Sequence, residues 1–226
     1  MKKALCTFAV DEYAACLEVS RPGFQRYAAQ HGYQYVEYYP TVAQEFGRPA
    51  SWGKIILMIE LLMIYDVVIW IDCDVLILEY GEDILTHIPD WAIQAITRHY
   101  SPEGDVPSAG LWIAKPDLLP YLEKIWEMDE YLDHNWWEQA ALHHLLGYVQ
   151  HEKYLNPCAV FSHETELYRL TYFFDVRWHS VDFRNYDSNA YIMHFPSIEI
   201  EDRVACMQEW LRRREDVRRI RETAEA

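Results

Sequence analysis

Two acids one residue apart, Asp72-Cys73-Asp74, follow directly on the apolar run Val67-Val68-Ile69-Trp70-Ile71. Carboxylates in such a pair suit hard divalent cations, Mn2+ or Mg2+, which take oxygen ligands and complete their shell with water or phosphate. In an extended segment the side chains of residues two apart point the same way, so Asp72 and Asp74 can converge on one ion. Cys73, between them, is expected to point into the fold. An Asp-x-Asp triplet alone is a weak signal. The apolar strand before it makes it specific, because open α/β sheets bind ligands beyond the carboxyl ends of their strands.

The elements that must carry this pair alternate along the chain. Ala4–Val10 reads as a first strand. Asp11 is the expected cap of a helix over 12–30, which Pro22-Gly23 should break or kink and His31-Gly32 should end. Tyr33–Tyr39 reads as a second strand, giving a β-α-β opening that favours a parallel sheet. Residues 40–50 read as a loop. Ser51 is the expected cap of a buried helix over 52–65, followed by the strand that ends at Asp72. Further strands are expected at Ala92–Thr97, Leu111–Ala114 and Tyr191–His194, with a loop over His99–Val106. Helices are expected from Pro116 to about Tyr131, over Trp136–Leu146 and from Asp202 onward. The fold class is therefore α/β, a single domain over 1–200 with a mainly parallel central sheet flanked by helices, and a charged helix over 201–226.

Composition narrows the function. The 226 residues suffice for one sizeable core, with 51% hydrophobic and 15% aromatic residues. The 17 tyrosines and 9 tryptophans fill cores and also build stacking walls for carbohydrates. A formal net charge of −16 disfavours nucleic acid and anionic lipid as partners. An anionic substrate then needs a local cation. The five cysteines form no CxxC pair and read as reduced thiols, and no apolar stretch is long enough for a transmembrane segment, so a cytoplasmic protein is expected. The C-terminal arginines are interleaved with Glu209, Glu215, Asp216 and Glu222, the pattern of a solvated, salt-bridged helix. His143 and His144 read as structural, and Trp52 as packing. Of Trp136 and Trp137, either can stack on a sugar, or one packs inside and one caps the helix.

The series Ser51-Trp52-Gly53-Lys54, Tyr65-Asp66 and Trp70-Ile71-Asp72-Cys73-Asp74 resembles the GT-A glycosyltransferases, a Rossmann-like fold. Its nearest resemblance is to the galactosyl/mannosyl/xylosyltransferase family. Tyr27-Ala28-Ala29-Gln30-His31-Gly32-Tyr33, Ser108-Ala109-Gly110, Trp137-Glu138-Gln139-Ala140-Ala141-Leu142 and Ile192-Met193-His194-Phe195 follow in the family's order, spanning about residues 4–197. The resemblance implies a nucleotide-diphosphate sugar as donor, UDP-sugar before GDP-sugar, and a carbohydrate or other hydroxyl acceptor, with anomeric configuration retained. It implies Mn2+ (or Mg2+) on Asp72, Asp74 and His194. Thr7, Phe8, Ala9 and Tyr13 would cradle the base and ribose, Lys54 would lie near the phosphates, and Ala109 and Gly110 would line the sugar pocket. Glu138 and Gln139, the catalytic pair this implies, would lie near the donor sugar and acceptor, where an oxocarbenium-like centre needs negative or polar neighbours. Ser108 stands where the family has Asn, and Pro196-Ser197 lacks the Gly that often follows the His-Phe pair.

Two other classes fit parts of the pattern. Val67–Asp74 also resembles the first motif of haloacid-dehalogenase-like phosphohydrolases, with Asp72 as nucleophile and Asp74 as general acid. That family opens with the motif near its N-terminus and needs a later Lys and an acidic pair; here a long segment precedes the motif, and no later acidic pair is evident. A non-catalytic carbohydrate-binding module would have no reason to keep Asp72, Asp74, Glu138, Gln139 and His194 together.

Overall fold

A computed structural model describes residues 1–38, 47–101, 104–151, 158–181, 189–196 and 198–224. The central sheet has six strands in the order β2-β1-β3-β6-β5-β9. They are β1 (Lys3–Thr7), β2 (Gln34–Glu37), β3 (Val67–Ile71), β5 (Gln94–Ser101), β6 (Gly104–Ala114) and β9 (Thr171–Phe174). Strand β6 is antiparallel to both its neighbours, while β1–β2, β1–β3 and β5–β9 pair in parallel. The sheet is therefore mainly parallel, and only β6 runs against the rest.

Two apolar layers enclose it. On one face lie α2 (Gly53–Leu62), α3 (Leu119–Trp126) and α4 (Trp137–Leu145), with Trp52, Met58, Leu122 and Leu142 packed on Trp70 and Trp112. On the other lie α1 (Ala14–His31) and α6 (Ile200–Ala224), with Phe24 and Met207 packed on Leu5, Ile69 and Ile71. A short second sheet sits beside this layer, with β11 (Ile192–His194) between β4 (Val75–Ile77) and β10 (Ser180–Val181). A third pairing joins β7 (Tyr148–His151) and β8 (Cys158–Phe161), and the short α5 (Glu166–Arg169) precedes β9. Among the described residues no helix is long and apolar enough to cross a membrane. Cys6, Cys16, Cys73 and Cys206 are free thiols.

Several local expectations are corrected. Neither Asp11 nor Ser51 caps a helix: each lies in a 3-10 turn, Asp11–Tyr13 and Ala50–Trp52, that leads into α1 and α2 without a side-chain cap. Helix α1 runs unbroken through Pro22. A proline inside a helix costs about 3 kcal/mol. Here Cys16 and Leu17 before it, and Phe24, Tyr27 and Ala28 after it, all bury in one core, which holds both halves in line. Gly32 ends the helix in the left-handed conformation, φ 70°, as expected of a glycine there. Residues 99–101 and 104–106, expected as part of a loop, instead extend β5 and β6, and their ladder reaches Ser101 opposite Gly104. The expected loop at 40–50 lies partly outside the described residues.

His143 is structural, as expected. Its imidazole is fully buried in α4 and its Nε2 lies 2.6 Å from the Pro107 carbonyl. Burial pushes its pKa down to about 4, against about 6.5 in an unfolded chain. As pH falls, the unfolded chain takes up this proton first, so stability declines from about pH 6.5 to about pH 4. The full loss is on the order of 3 kcal/mol. Replacing His143 with Gln is expected to flatten this part of the acid limb in urea melts at stepped pH; an unchanged slope would contradict it.

Candidate metal and catalytic site

Two ladders assemble the site. At the end of β3 the Asp72 N–H donates to the Gly110 carbonyl of β6 at 2.8 Å, one step beyond the Ile71–Leu111 pair. The chain then turns, with the Val75 N–H donating to the Asp72 carbonyl at 3.2 Å, and enters β4. Asp72-Cys73-Asp74 is thus a turn, and the expected strand alternation is not what brings the acids together. Strand β4 pairs antiparallel with β11, setting His194 opposite Val75. The Phe195 N–H closes the corner on the Asp74 carbonyl at 3.1 Å.

His194 Nε2 therefore lies 3.2 Å from Asp74 Oδ1 and 3.8 Å from Asp72 Oδ2. One ligand atom from each of Asp72, Asp74 and His194 falls within 4.8 Å of the others. Two carboxylate oxygens and an imidazole nitrogen form a donor set that suits Mn2+, and Mg2+ less well. Turned away from the acids, His194 Nδ1 is buried with no hydrogen-bond partner among the described residues. Cys73 points into the core, as expected, and its carbonyl accepts from Ser20 Oγ at 2.8 Å.

The remaining charges are shared across the turn. Asp72 Oδ1 accepts from Trp70 Nε1 at 2.6 Å and from Lys54 Nζ at 3.2 Å. Lys54, on α2, also reaches Glu138 Oε1 at 2.8 Å. Burial opposes the ammonium charge, but Asp72 and Glu138 outweigh it and hold the Lys54 pKa above the ordinary lysine range. One cation cannot fully offset two acids. Burial thus raises the Glu138 carboxyl despite Lys54, and Glu138 Oε2 has no hydrogen-bond partner among the described residues. Gln139 is fixed by its Oε1, which accepts from the Ala109 N–H at 2.9 Å.

Two residues that no motif marked complete the site. Arg203, nearly buried on α6, donates from Nη1 to Asp74 Oδ2 at 2.8 Å and anchors its other nitrogens on the Ile198 carbonyl. Burial alone would raise the Asp74 carboxyl; His194 and Arg203 together hold it below the ordinary range. The guanidinium also stands over the Tyr13 ring at 5.1 Å. His179, fully buried, stacks on His194 with centroids 4.8 Å apart, and its Nδ1 lies 3.2 Å from His99 Nε2. Its charge is suppressed by burial, reinforced by His194 and His99.

The expected nucleotide and sugar contacts divide. The Thr7, Phe8 and Ala9 side chains are buried at the end of β1, with Phe8 edge-on to Trp70 at 5.0 Å, so they offer a ligand little beyond backbone. Tyr13 is exposed beside them. Lys54 lies under the metal turn, in salt bridges, and not on the surface. Ala109 is held against Gln139. A Cβ on Gly110 would stand 2.6 Å from His194 Cε1 and 3.0 Å from His179 Nε2, so this glycine faces the stacked histidines and makes room for them.

No protein-family model matches the sequence, and no curated protein matches it. Among solved structures the chain is similar to a glycosyltransferase involved in glycosylation of the major capsid of PBCV-1. That likeness has TM-score 0.66 and 13% identity over 92% of this chain and 100% of that one. The chain has the GT-A fold. The glycosyltransferase GlyE of Streptococcus pneumoniae is similar at TM-score 0.58 and 11% identity, over 94% of this chain and 64% of GlyE. The galactosyltransferase LgtC, solved with donor and acceptor sugar analogues, is similar at TM-score 0.51 and 12% identity, over 91% of this chain and 95% of LgtC. Within this GT-A chain the acid turn, the late histidine and the Glu-Gln helix start all meet at one end of β3.

Because the Gly110 position abuts His194, replacing it with Ala is expected to displace the imidazole. Loss of a ligand's support typically costs 10- to 100-fold in metal affinity. Free-Mn2+ electron paramagnetic resonance should show a drop of about that size. Gly81→Ala, where an added Cβ meets nothing within 4 Å, is the control. Equal Mn2+ affinity in both variants would refute the steric argument.

Proposed function

We propose that the protein is a divalent-metal-dependent glycosyltransferase that moves a hexose or pentose from a nucleotide-diphosphate sugar to a carbohydrate or other hydroxyl acceptor. The observation that carries this reading is the convergence of Asp72, Asp74 and His194 within hydrogen-bonding reach of Lys54 and, through it, Glu138. In a chain of net charge −16 a diphosphate needs a local positive centre, and this is where one can be held. Asp72, Asp74 and His194 would bind Mn2+ (or Mg2+), which when bound stabilises a leaving diphosphate as a Lewis acid.

The chain's own groups have separate tasks. Arg203 orients the Asp74 carboxylate and leaves Oδ1 facing His194. Lys54 bridges Asp72 and Glu138, holding each by one oxygen. The second Glu138 oxygen, buried without a hydrogen-bond partner among the described residues, is the group that would accept from a donor hydroxyl and offset charge at the reacting carbon. Gln139, pinned to Ala109, sets the direction from which α4 meets the sugar. Through Arg203 on Asp74, α6 contributes a residue to the site. The family resemblance favours UDP as the nucleotide and retention of configuration.

The test is release of free nucleoside diphosphate from a panel of UDP- and GDP-sugars with Mn2+. One donor is expected to turn over, with EDTA, Asp74→Asn and His194→Ala each lowering the rate by roughly 100-fold or more, the scale of losing several kcal/mol of Lewis-acid stabilisation. Release of inorganic phosphate from phosphomonoesters would instead establish a phosphohydrolase. Sugar binding with no metal-dependent turnover would establish a binding module.

A further inference from the structure

Trp137 opens α4 immediately before Glu138, and its conformation is costly twice over. Its φ is 43°, and Trp137 and Asp11 are the non-glycine residues with positive φ among the described residues. Aspartate visits that region readily, whereas a bulky aromatic residue there is a true outlier. The backbone is held in it from both sides. The Trp137 N–H donates to the His134 carbonyl at 2.9 Å, and the Gln139 N–H to the Trp136 carbonyl at 2.9 Å. The indole gains little in return. It is 45% exposed, and no ring, cation or hydrogen-bond partner meets it among the described residues. Its neighbour Trp136 behaves differently, packing on the core and edge-on to His143 at 5.1 Å. Glycine or asparagine at 137 would relieve both the strain and the exposure. Folding therefore gives no reason for a tryptophan here.

Position supplies one. Glu138 reaches Lys54 and Gln139 accepts from the Ala109 N–H of β6, and the exposed Trp137 directly precedes them at the start of α4. In the sheet order β3 lies between β1 and β6. The turn that would grip the diphosphate follows β3, and the expected nucleotide contacts follow β1. The Glu138-Gln139 helix start lies on the other side, against β6. A group approaching the donor sugar from that side would meet the start of α4, where Trp137 is exposed. A neutral, hydroxylated ring suits that place: its C–H face packs on an indole, and it adds no charge to an acidic surface.

We propose that Trp137 is the stacking platform for the acceptor sugar. The proposal rests on the transferase reading of the site and adds the acceptor's class and its seat. It is tested by 15N NMR of the tryptophan indoles, with Mn2+ and UDP present. The Trp137 signal is identified by its loss in Trp137→Phe. The probes are the methyl glycosides of glucose, galactose, mannose and xylose. At least one is expected to shift the Trp137 indole saturably. In Trp137→Asn the KM for that glycoside should rise at least tenfold, while donor hydrolysis by water stays within twofold and the melting temperature does not fall. The proposal is overturned if no glycoside moves the Trp137 signal, or if Trp137→Asn slows hydrolysis as much as transfer. Absence of any Mn2+-dependent nucleotide release would defeat the transferase reading instead, and the indole titration would still report whether a sugar docks on Trp137.

Discussion

Three carboxylates crowd one end of the sheet, and the fold must offset them. Asp74 and Glu138 are nearly buried and Asp72 is partly so. An isolated buried carboxylate is too costly to stay charged, so each needs a cation or a strong donor. Lys54 serves Asp72 and Glu138, Arg203 serves Asp74, and Trp70 donates to Asp72. Each counter-charge comes from a different element: α2 on one face of the sheet, α6 on the other, β3 between them. Removing one partner of a buried ion pair costs about 3–5 kcal/mol. The packing of both layers is thereby tied to the charge balance of a single turn.

That constraint explains what could be read in advance and what could not. Asp72 and Asp74 were legible because a fully apolar run can only be a buried strand, and its end is a fixed place in an α/β sheet. Glu138, Gln139 and His194 were legible by the order of motifs. Their partners were not. Arg203 sits in a helix where Arg212 and Arg213 pair with Glu209, and Arg214 with Glu79, on the surface, and nothing in the sequence separates it from them. His179 lies in a stretch without periodicity, and only the pairing of β10 with β11 brings its ring onto His194. Long-range pairing decides such contacts, and sequence spacing does not encode it.

The local misreadings have the same origin. Ser51 has the chemistry of a cap, yet Pro49 and Ala50 start a tighter turn first, and the Ser51 hydroxyl is left buried with no partner among the described residues. The extension of β5 and β6 was hidden because Ser, Pro, Gly and charged residues in 99–106 look like a loop. A bulge between Ile96 and Thr97 shifts the register, so β6 can run on past Gly110 while still presenting the Gly110 carbonyl to Asp72. Strand propensity is weak evidence where the partner strand supplies the hydrogen bonds.

Gly110 shows how tightly these demands interlock. The resemblance assigned it to a sugar pocket on the strength of its neighbours, Ser108 and Ala109. Its geometry gives it a structural task as well, because a side chain there would occupy the space of the His194 ring. A glycine suits a place where the stacked His179 and His194 rings come this close to the strand, whose Gly110 carbonyl also accepts the Asp72 N–H. The same residue therefore helps set the positions of His194 and of the first aspartate. At the other side of this edge Glu138 keeps one oxygen, Oε2, buried without a hydrogen-bond partner among the described residues.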